Sequence, residues 1–470
     1  MAEPRDSTTV LEDVPDIIQN IYMKRFDPQY IGRHGKSLNR VFKPDAMETT
    51  GSGKTMQTEI APGDNARAST DALGAFAAPD HLEAAAVTVR FSRTNPTASD
   101  FTRISASCQT DDIDVQEAGK GSQIDFVKRM YSQVVDSYDE RLAQLRECGR
   151  NGVLALVNGT TGSNAAATST TWYAITGSAT NTNGLRCNVD TGSIANFRRG
   201  ARIDFINPST GAIRAGNCRV NDVNYANGQI GVTYTSSTSY PPWTSSGDLA
   251  NVTDNDYIVR SGEYNQGLFS LGAWLSRPTV GESFLGGVDR TALAYRWMLT
   301  NCTREGETPA QITASMFDDL AIMMGYLDDT DDIGPILSAH PTVIQTMRRQ
   351  IGEDSIIQVP YGDSRLERFG NFGSTGLNYQ HPVFGVVKLH SDPLHPADHV
   401  RLLSMGTWIS MYYGWKGLRP LTEGGTHWYR MNEAAPNTGK GVMLKCDWYA
   451  FHCDFCTQPI KNGTIQAITA

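Results

Sequence analysis

The sequence predicts an α+β fold of several parts, in which one long helix stands among β-rich segments. Apolar residues recur at steps of three and four along 122–149, which is typical of an amphipathic helix. Short β-like runs separated by turn residues fill 160–262, and helix and strand patterns alternate along 263–357 before β-like runs return at 358–470. The 470 residues allow about two to four domains.

Composition and charge exclude several classes of protein. Hydrophobic residues make up 40% and charged residues 19% of the chain, which suffices for a core and excludes a disordered chain or a collagen. No run approaches the roughly 18 apolar residues of a membrane helix, so we expect no membrane span. The net charge of −9 makes tight binding of nucleic acid unfavourable. The 30 Arg against 11 Lys favour protein–protein contacts.

The amino-terminal sequence and the cysteines point to an intracellular chain. The first residues lack the basic and apolar pattern of a secretion signal, so we expect no export. Eight dispersed cysteines in a long chain of this kind are expected to stay reduced.

Residues 1–95 contain too little apolar sequence to form a core by themselves. We expect 1–45 to be an extended arm with one short helix near Pro15–Tyr22. In 46–95 the β-like runs Lys54–Ile60 and Val87–Phe91 flank a stretch rich in Gly, Ala, Ser, Thr and Asp. They predict a long two-stranded flap, which is marginal in water unless other surfaces cover it.

The strongest helix prediction covers 122–149. Ser122 and Asp125 have capping-box spacing, and Gly149 is a suitable stop. The apolar stripe comprises Ile124, Val127, Tyr131, Val134, Tyr138, Leu142 and Leu145, with charged residues on the other face. At 1.5 Å per residue the helix is about 40 Å long. We interpret it as a surface helix lying on its own sheet, with a free coiled coil as the alternative.

The segment 160–262 predicts a β module inserted between helical parts. Its β-like runs include Ala201–Ile206, Cys218–Val223 and Gln229–Tyr234, separated by turn signals. This spacing favours a small antiparallel barrel or sandwich of about 90 residues. Because its loops are polar, we expect the module to be separable and exposed.

The remaining chain predicts an α/β core and a closing β section. The residues Thr308 to Gln311 predict the start of a helix. The apolar face of this helix would be Ile312, Met316, Leu320 and Met323. Ile333–Ala339 predicts a buried strand, and a helix follows Pro341 with the stripe Val343, Ile344, Met347 and Ile351. Further strands are predicted at Val383–Leu389, Val400–Met405, Trp408–Tyr413 and Val442–Phe451.

The motifs that could carry chemistry are weak. Gly51 to Thr55 resembles the end of a phosphate-binding loop, but Glu48 stands at its first glycine and no helix pattern follows. The loop His390–His399 has metal-ligand residue types, but Pro393 and Pro396 make it a turn. Cys453 and Cys456 form a single CxxC without a second pair. We therefore expect no enzyme, cofactor or metal, with a metal-dependent hydrolase using the His390–His399 loop as the alternative.

The order of the predicted parts resembles the major capsid proteins of tailed bacteriophages. The stretch GLFSLGAWLSRPTVGESFLGGVDRTALAYRW (267–297) is similar to the start of that family's axial domain. Ile336–Pro341 followed by a helix resembles its strand–proline–helix step. HPVFGVVKLHSDPLHP (381–396) is similar to its short strand and following loop, although Val386 stands where the family often has proline.

The resemblance implies a division of the chain. It implies an arm (1–45), a flap called the E-loop (46–95), a peripheral domain with the spine helix (96–159), an inserted β module (160–262), an axial α/β core (263–357), and a closing β section shared by the axial and peripheral domains (358–470).

It also implies a structural function. Hexamers and pentamers of the chain would form an icosahedral head around double-stranded DNA. We expect a separate scaffolding protein, a portal, and in some cases a decoration protein as partners. The location would be the virion, assembled in the host cytoplasm. An encapsulin-like compartment shell is the alternative within the same fold.

Six residues are candidates for assembly contacts under this interpretation: Lys54, Arg67, Phe76, Arg90, Arg129 and Arg141. Some family members crosslink a flap lysine to a neighbouring subunit, and Lys54 is the only lysine between Lys43 and Lys120. We expect no crosslinking here, because nothing in the sequence identifies a partner. We also expect the module to lie on the outer face, and the chain to lose no more than a few residues by proteolysis.

Overall fold

The structure of the chain is a computed structural model. It describes residues 43–44, 55–59, 86–90, 100–111, 120–157, 184–190, 194–225, 228–233, 246–247, 249–276, 284–291, 298–324, 335–354, 378–381, 385–412, 419–420, 429–431 and 443–469. The predicted helix near Pro15–Tyr22 and most of the predicted arm and flap lie outside the described residues. Among the described helices, none is long and apolar enough to cross a membrane.

The described elements are mostly strands. The helices are α1 (Lys120–Glu147), α2 (Leu271–Leu275), α3 (Ala314–Met324) and α4 (Pro341–Asp354). The strands are β1 (Lys43–Pro44), β2 (Thr55–Glu59), β3 (Ala86–Arg90), β4 (Thr102–Asp111), β5 (Val153–Val157), β6 (Gly184–Asp190), β7 (Arg202–Ile206), β8 (Ile213–Asn224), β9 (Gln229–Thr233), β10 (Ser246–Gly247), β11 (Tyr257–Arg260), β12 (Asn301–Thr303), β13 (Ala310–Gln311), β14 (Pro335–Ala339), β15 (Asn378–His381), β16 (Gly385–Ser391), β17 (Val400–Ser404), β18 (Trp408–Tyr412), β19 (Arg419–Pro420), β20 (Tyr429–Met431), β21 (Met443–Cys456), β22 (Gly463–Ile465) and β23 (Ile468–Thr469).

The longest strand, β21, organises the first sheet. It pairs antiparallel with β4, with Met443 opposite Asp111 and His452 opposite Thr102. It also pairs with β18, β19 and β20, and β1 joins parallel to β18. Helix α1 contacts β4. The predicted helix and the sheet of the predicted carboxy-terminal strands therefore form two layers in contact, although helix and strands are more than 250 residues apart in the sequence.

A second sheet has the strand order β12-β22-β17-β14-β16-β15. Its strand β14 is parallel to β16 and antiparallel to β17. Leu337 and Ala339 on one face of β14 pack in a cluster with residues of α3 and α4. Ile336 on the opposite face packs in a cluster with Trp274 and Trp408. Since Trp408 begins β18, this second cluster lies between the two sheets and joins them.

The predicted β module is a closed barrel. Its strands follow the order β8-β7-β11-β5-β6-β9, and β9 pairs back onto β8 to close it, with β10 added beside β8. The interior holds Phe197, Phe205, Val220, Val232 and Ile258, all fully buried. The predicted runs correspond to β7, β8 and β9. The predicted first residue, 160, is wrong, because β5 at Val153–Val157 already belongs to the barrel.

Helix α1 begins at Lys120, so Ser122 lies inside it and is not its cap. The predicted apolar residues Val134, Tyr138, Leu142 and Leu145 are buried, as expected. The interpretation as a one-sided surface helix is wrong for the carboxy-terminal half, where the polar face is buried as well. This buried polar group comprises Asp139, Arg141, Gln144, Arg146 and Glu147. The amphipathic pattern predicts only the face of α1 that lies on the first sheet. It does not predict that the barrel and the second sheet cover the other faces of the helix.

The predicted helix start at Thr308 is also wrong. Ala310 and Gln311 form β13 and pair parallel with Ile468 and Thr469, and the helix α3 begins at Ala314. A capping pattern is local, so it does not reveal pairing with a strand at the far end of the chain. On α3 the buried methionines are Met316, as predicted, and Met324, whereas the predicted Met323 is half-exposed.

The chain enters and leaves the barrel through a narrow neck beside the end of α1. The Asn265 amide donates to the Asn151 carbonyl at 3.1 Å, and the Gly267 amide donates to the Arg150 carbonyl at 2.8 Å. Two glycines allow this close approach. A Cβ at Gly267 would lie 2.6 Å from the Arg150 oxygen, and one at Gly272 would lie 2.5 Å from the Cys148 carbonyl carbon. Both positions therefore require the absence of a side chain.

We predict that Gly272→Ala destabilises the fold by about 3 kcal/mol, because the new methyl group meets rigid backbone rather than a movable side chain. Gly149→Ala is the matched control, since a Cβ there finds only the Gly272 oxygen, at an ordinary 3.9 Å. Urea unfolding of both variants measures the difference. Equal stability of the two variants would contradict the close approach.

Candidate assembly interface

The predicted flap has a paired backbone at its base. Strands β2 and β3 are antiparallel, with Thr55 opposite Arg90 and Glu59 opposite Ala86. Within the described residues they form a sheet of their own. Strand β3 lies against the turn Leu285–Gly287. A two-stranded sheet is marginal in water, so this hairpin depends on further contacts.

The six candidate residues do not form one cluster in the described structure. Lys54, Arg67 and Phe76 lie outside the described residues. Arg90 ends β3, and Arg129 lies in the first half of α1; for both, the structure describes the backbone position only. Their roles in assembly stay predictions.

Arg141 belongs to the interior of the subunit, so its selection as an interface residue is corrected. Its guanidinium forms an ion pair with Glu263 and lies 3.2 Å from the Gln144 Oε1. Burial, together with the nearby Arg260, lowers the pKa of Arg141 to about 9. Since the side chain is buried and paired, it is not available to a neighbouring subunit.

Helix α1 also holds the barrel in place. Arg198 Nε lies 2.7 Å from Glu140 Oε1, and Gln144 Nε2 donates to the Asn196 carbonyl at 3.2 Å. Asn196 Nδ2 in turn donates to the Leu154 carbonyl at 3.3 Å. One turn of α1 therefore contacts the barrel at several points, in addition to the neck.

The second half of α1 meets the first sheet at a buried ion pair. Arg146 Nε lies 2.8 Å from Asp454 Oδ2, and both side chains are buried. Ser410 Oγ donates to Asp454 Oδ1 at 2.7 Å, and Ser270 Oγ donates to the other carboxylate oxygen. Trp274 Nε1 donates to the Asp454 carbonyl at 3.0 Å. This junction joins α1, α2, β18 and β21.

Two more buried arginines strengthen the same region. Arg401 of β17 pairs with Glu147 at the end of α1, and both side chains are about 3% exposed. Arg290 donates to the Trp274 carbonyl at 2.8 Å and to the Ala273 carbonyl at 3.0 Å, and its guanidinium lies 3.9 Å from the Phe284 ring centre. These bonds satisfy carbonyl groups at the carboxy end of α2, which lack partners within the helix.

This junction was not predicted from the sequence. Arg146 and Asp454 are 308 residues apart, and Arg146 lies on the face of α1 that was assigned to solvent. One signal was present in the sequence: Asp454 is a charged residue within the aromatic and apolar run of β21. A carboxylate in such a strand needs a buried partner.

The loop His390–His399 has a packed interior. His395 is fully buried, with Nδ1 2.7 Å from the Pro396 carbonyl oxygen and its ring centre 4.8 Å from that of His399. His399 Nδ1 lies 2.9 Å from Asp398 Oδ1. Burial, with Arg401 and His399 nearby, lowers the pKa of His395 well below its ordinary value. In the part of the chain that the structure describes, no three His, Cys, Asp or Glu residues are grouped to hold a metal ion.

The other weak motifs fit structural roles. Cys453 and Cys456 are free, buried thiols within β21, and burial raises the pKa of Cys456 to about 12. Such thiols are poor nucleophiles and poor metal ligands, because both functions require the thiolate. Thr55 begins a strand, whereas a phosphate-binding loop requires a helix at this position.

Comparisons with known proteins give structural likenesses at very low identity. No protein-family model and no curated protein sequence matches the chain. The chain is similar to the capsid asymmetric unit of cyanophage A-1(L), at 9% identity and a TM-score of 0.46, over 92% of each chain. It is similar to the capsid of a native GTA particle at 8% identity and a TM-score of 0.39, over 92% of this chain and 90% of that one.

An encapsulin complex from Synechococcus elongatus PCC 7942 is similar over a smaller part. The identity is 13% and the TM-score is 0.21, over 36% of this chain and 52% of that one.

We predict that Asp454→Asn lowers the free energy of unfolding by about 3 to 5 kcal/mol, because it removes the carboxylate charge that faces the buried Arg146 guanidinium. Arg198→Gln is the control: it breaks an ion pair whose arginine is largely exposed, which costs less than about 1 kcal/mol. Denaturant unfolding of both variants tests this. A loss below 1 kcal/mol in Asp454→Asn would show that the junction does not carry the fold.

We also predict that acid weakens the fold through His452. Burial, opposed only in part by Asp454, lowers the pKa of His452 to about 4. Below its ordinary pKa near 6.5 the unfolded chain binds a proton that the folded chain binds only near pH 4. The free energy of unfolding should therefore fall by about 3 kcal/mol between these pH values.

His452→Gln should remove this part of the pH dependence. Urea unfolding of the wild type and the variant at pH 7.5, 6.5, 5.5 and 4.5 measures it. The difference in stability between the two should stay constant from pH 7.5 to 6.5 and should change only below 6.5. Parallel curves down to pH 4.5 would disprove the role of His452.

Proposed function

We propose that the chain is a structural shell subunit, the major capsid protein of a tailed bacteriophage, and that it forms hexamers and pentamers around double-stranded DNA. The observation that carries the proposal is the order and pairing of the elements. A hairpin precedes a long helix on a sheet, a barrel interrupts the chain at the end of that helix, and a second sheet with two helices follows. This is the layout that the sequence resemblance implies.

A layout of elements does not by itself define a function, but the hairpin gives a physical reason for assembly. The hairpin β2–β3 is a two-stranded sheet within the described residues, and such sheets are marginal alone. Neighbouring subunits would supply the missing cover. Many weak contacts per subunit close a shell, because each contact made raises the effective concentration for the next.

The division of the chain follows the same proposal. We assign 1–45 to the arm, 46–95 to the E-loop, 96–152 to the peripheral domain with its spine helix α1, and about 153–262 to the inserted barrel. The axial domain then holds α3, α4 and the β14 sheet, and the β21 sheet belongs to the peripheral domain. The barrel would lie on the outer face, where a neck of two chain segments permits an insertion.

The proposal also names partners and location. A scaffolding protein, a portal and a decoration protein are the expected companions in a virion assembled in the host cytoplasm. The net charge of −9 suits a container, since a wall that bound DNA tightly would oppose its packaging and release. No catalytic role is part of the proposal.

Electron microscopy and analytical ultracentrifugation of the purified full-length chain, alone and with its scaffolding protein, test the proposal. Closed shells, tubes or rings of subunits are expected. Particles from infected cells should contain nucleic acid, whereas particles that hold only cargo protein would favour a compartment shell. A monomer under every condition, including with the scaffold, would refute both.

A further inference from the structure

The barrel buries three of its carboxylates and exposes several of its arginines. Asp204 and Asp222 are buried, and so is Asp256, which pairs with Arg214 at 2.9 Å. In contrast, Arg198 and Arg199 are exposed by 62% and 65%, although each has an acidic neighbour. The charges that remain at the surface on this side of the barrel are therefore mainly those of arginines.

Two further arginines extend this surface. Arg202 on β7 and Arg219 on β8 are directly opposite across the antiparallel pair, and both are exposed. The pair places two positive charges close together on the same face of the sheet. Tyr225 lies at the same side, since its hydroxyl lies 3.4 Å from the Phe197 carbonyl, and it is 61% exposed. We call Arg198, Arg199, Arg202, Arg219 and Tyr225 the basic barrel face.

Helix α3 has an exposed surface of the opposite character. Ser315, Asp318, Asp319 and Ile322 are exposed and follow helical spacing along one face. Ile322 is 80% exposed, an unusual position for an isoleucine. Leu320 and Met324 on the other side of the helix are buried against Gly463. The exposed side of α3 therefore combines two carboxylates with an apolar group and leaves the packing of the helix intact.

We propose that the basic barrel face of one copy docks on the exposed face of α3 of a second copy, an inference that rests on the proposed shell function. The two surfaces are complementary, with arginines facing Asp318 and Asp319, and Tyr225 facing Ile322. Complementary charge fixes the partner and its orientation, and tyrosine and arginine are the residues that most often carry interface energy.

A second copy is the occupant because both surfaces exist on every chain. Contacts between different patches of identical subunits are head-to-tail, and they build closed rings or open filaments rather than isolated pairs. Nucleic acid outside the shell would also attract the arginines, but it offers nothing that would cover Ile322 on α3.

A charge exchange in the full-length chain tests the docking. Arg219→Glu alone and Asp319→Arg alone should each weaken self-association about tenfold, measured by sedimentation velocity at low salt. The double variant Arg219→Glu/Asp319→Arg should recover most of the loss, because the pair is restored with reversed sign. Arg103→Glu, an exposed arginine of β4, is the matched control and should change association less than threefold. Equal effects of Arg219→Glu and Arg103→Glu, or no recovery in the double variant, would overturn the inference.

Crosslinking gives a second, independent measurement. Chains with Tyr225→Cys and chains with Ile322→Cys, mixed and mildly oxidised, should form a disulfide-linked pair. Ile213→Cys mixed with Ile322→Cys is the control, since Ile213 is exposed at the opposite end of β8 and should give no such pair. Assembly without the Tyr225–Ile322 crosslink would overturn the docking and leave the shell function standing. A chain that stays monomeric throughout would overturn both.

Discussion

The buried pair Arg146–Asp454 is the interaction on which the rest of the fold depends. Moving two charges out of water is costly, and the cost is recovered only when every hydrogen-bonding group around them is satisfied. Here Ser410 and Ser270 complete the carboxylate, and Trp274 binds the adjacent carbonyl. The pair therefore requires α1, α2, β18 and β21 to be in place together.

That requirement fixes the geometry of the insertions. The end of α1 approaches the 267–272 segment so closely that Gly267 and Gly272 are needed. The barrel begins and ends at this point and is held by Glu140 and Gln144 one to two turns earlier. The subunit thus combines a rigid junction, a barrel beside it, and the hairpin β2–β3, whose stability in water is marginal. This combination suits a subunit that gains its final stability from its neighbours.

The distribution of charge follows the same logic. Inside the subunit, arginines are paired or bonded to carbonyl groups, as at Arg146, Arg290 and Arg401. On the barrel Asp204, Asp222 and Asp256 are buried and several arginines are exposed, while α3 exposes Asp318 and Asp319. An excess of arginine over lysine, seen first in the composition, thus has two uses: planar buried pairs within the subunit, and a basic surface for a partner.

The sequence by itself determined the local elements. The periods of 3.6 and 2 identified α1, the barrel strands and the β14–α4 step, because these periods follow from the backbone geometry of each element. The order of these elements then implied the family layout. Among the candidate assembly residues, Arg141 is internal. On the apolar face predicted for α3, Met323 is half-exposed, whereas its neighbour Met324 is buried.

Only the tertiary structure decided what lies on the second side of each element. Strand β9 returns to β8 and closes the barrel, β13 pairs with β23 instead of starting a helix, and the polar face of α1 is buried around Arg146. Each of these facts is a contact with a distant segment or a second layer. Periodicity reports that one face of an element is apolar, but pairing energy between segments far apart in sequence leaves no local pattern, so it becomes visible only when the chain is folded.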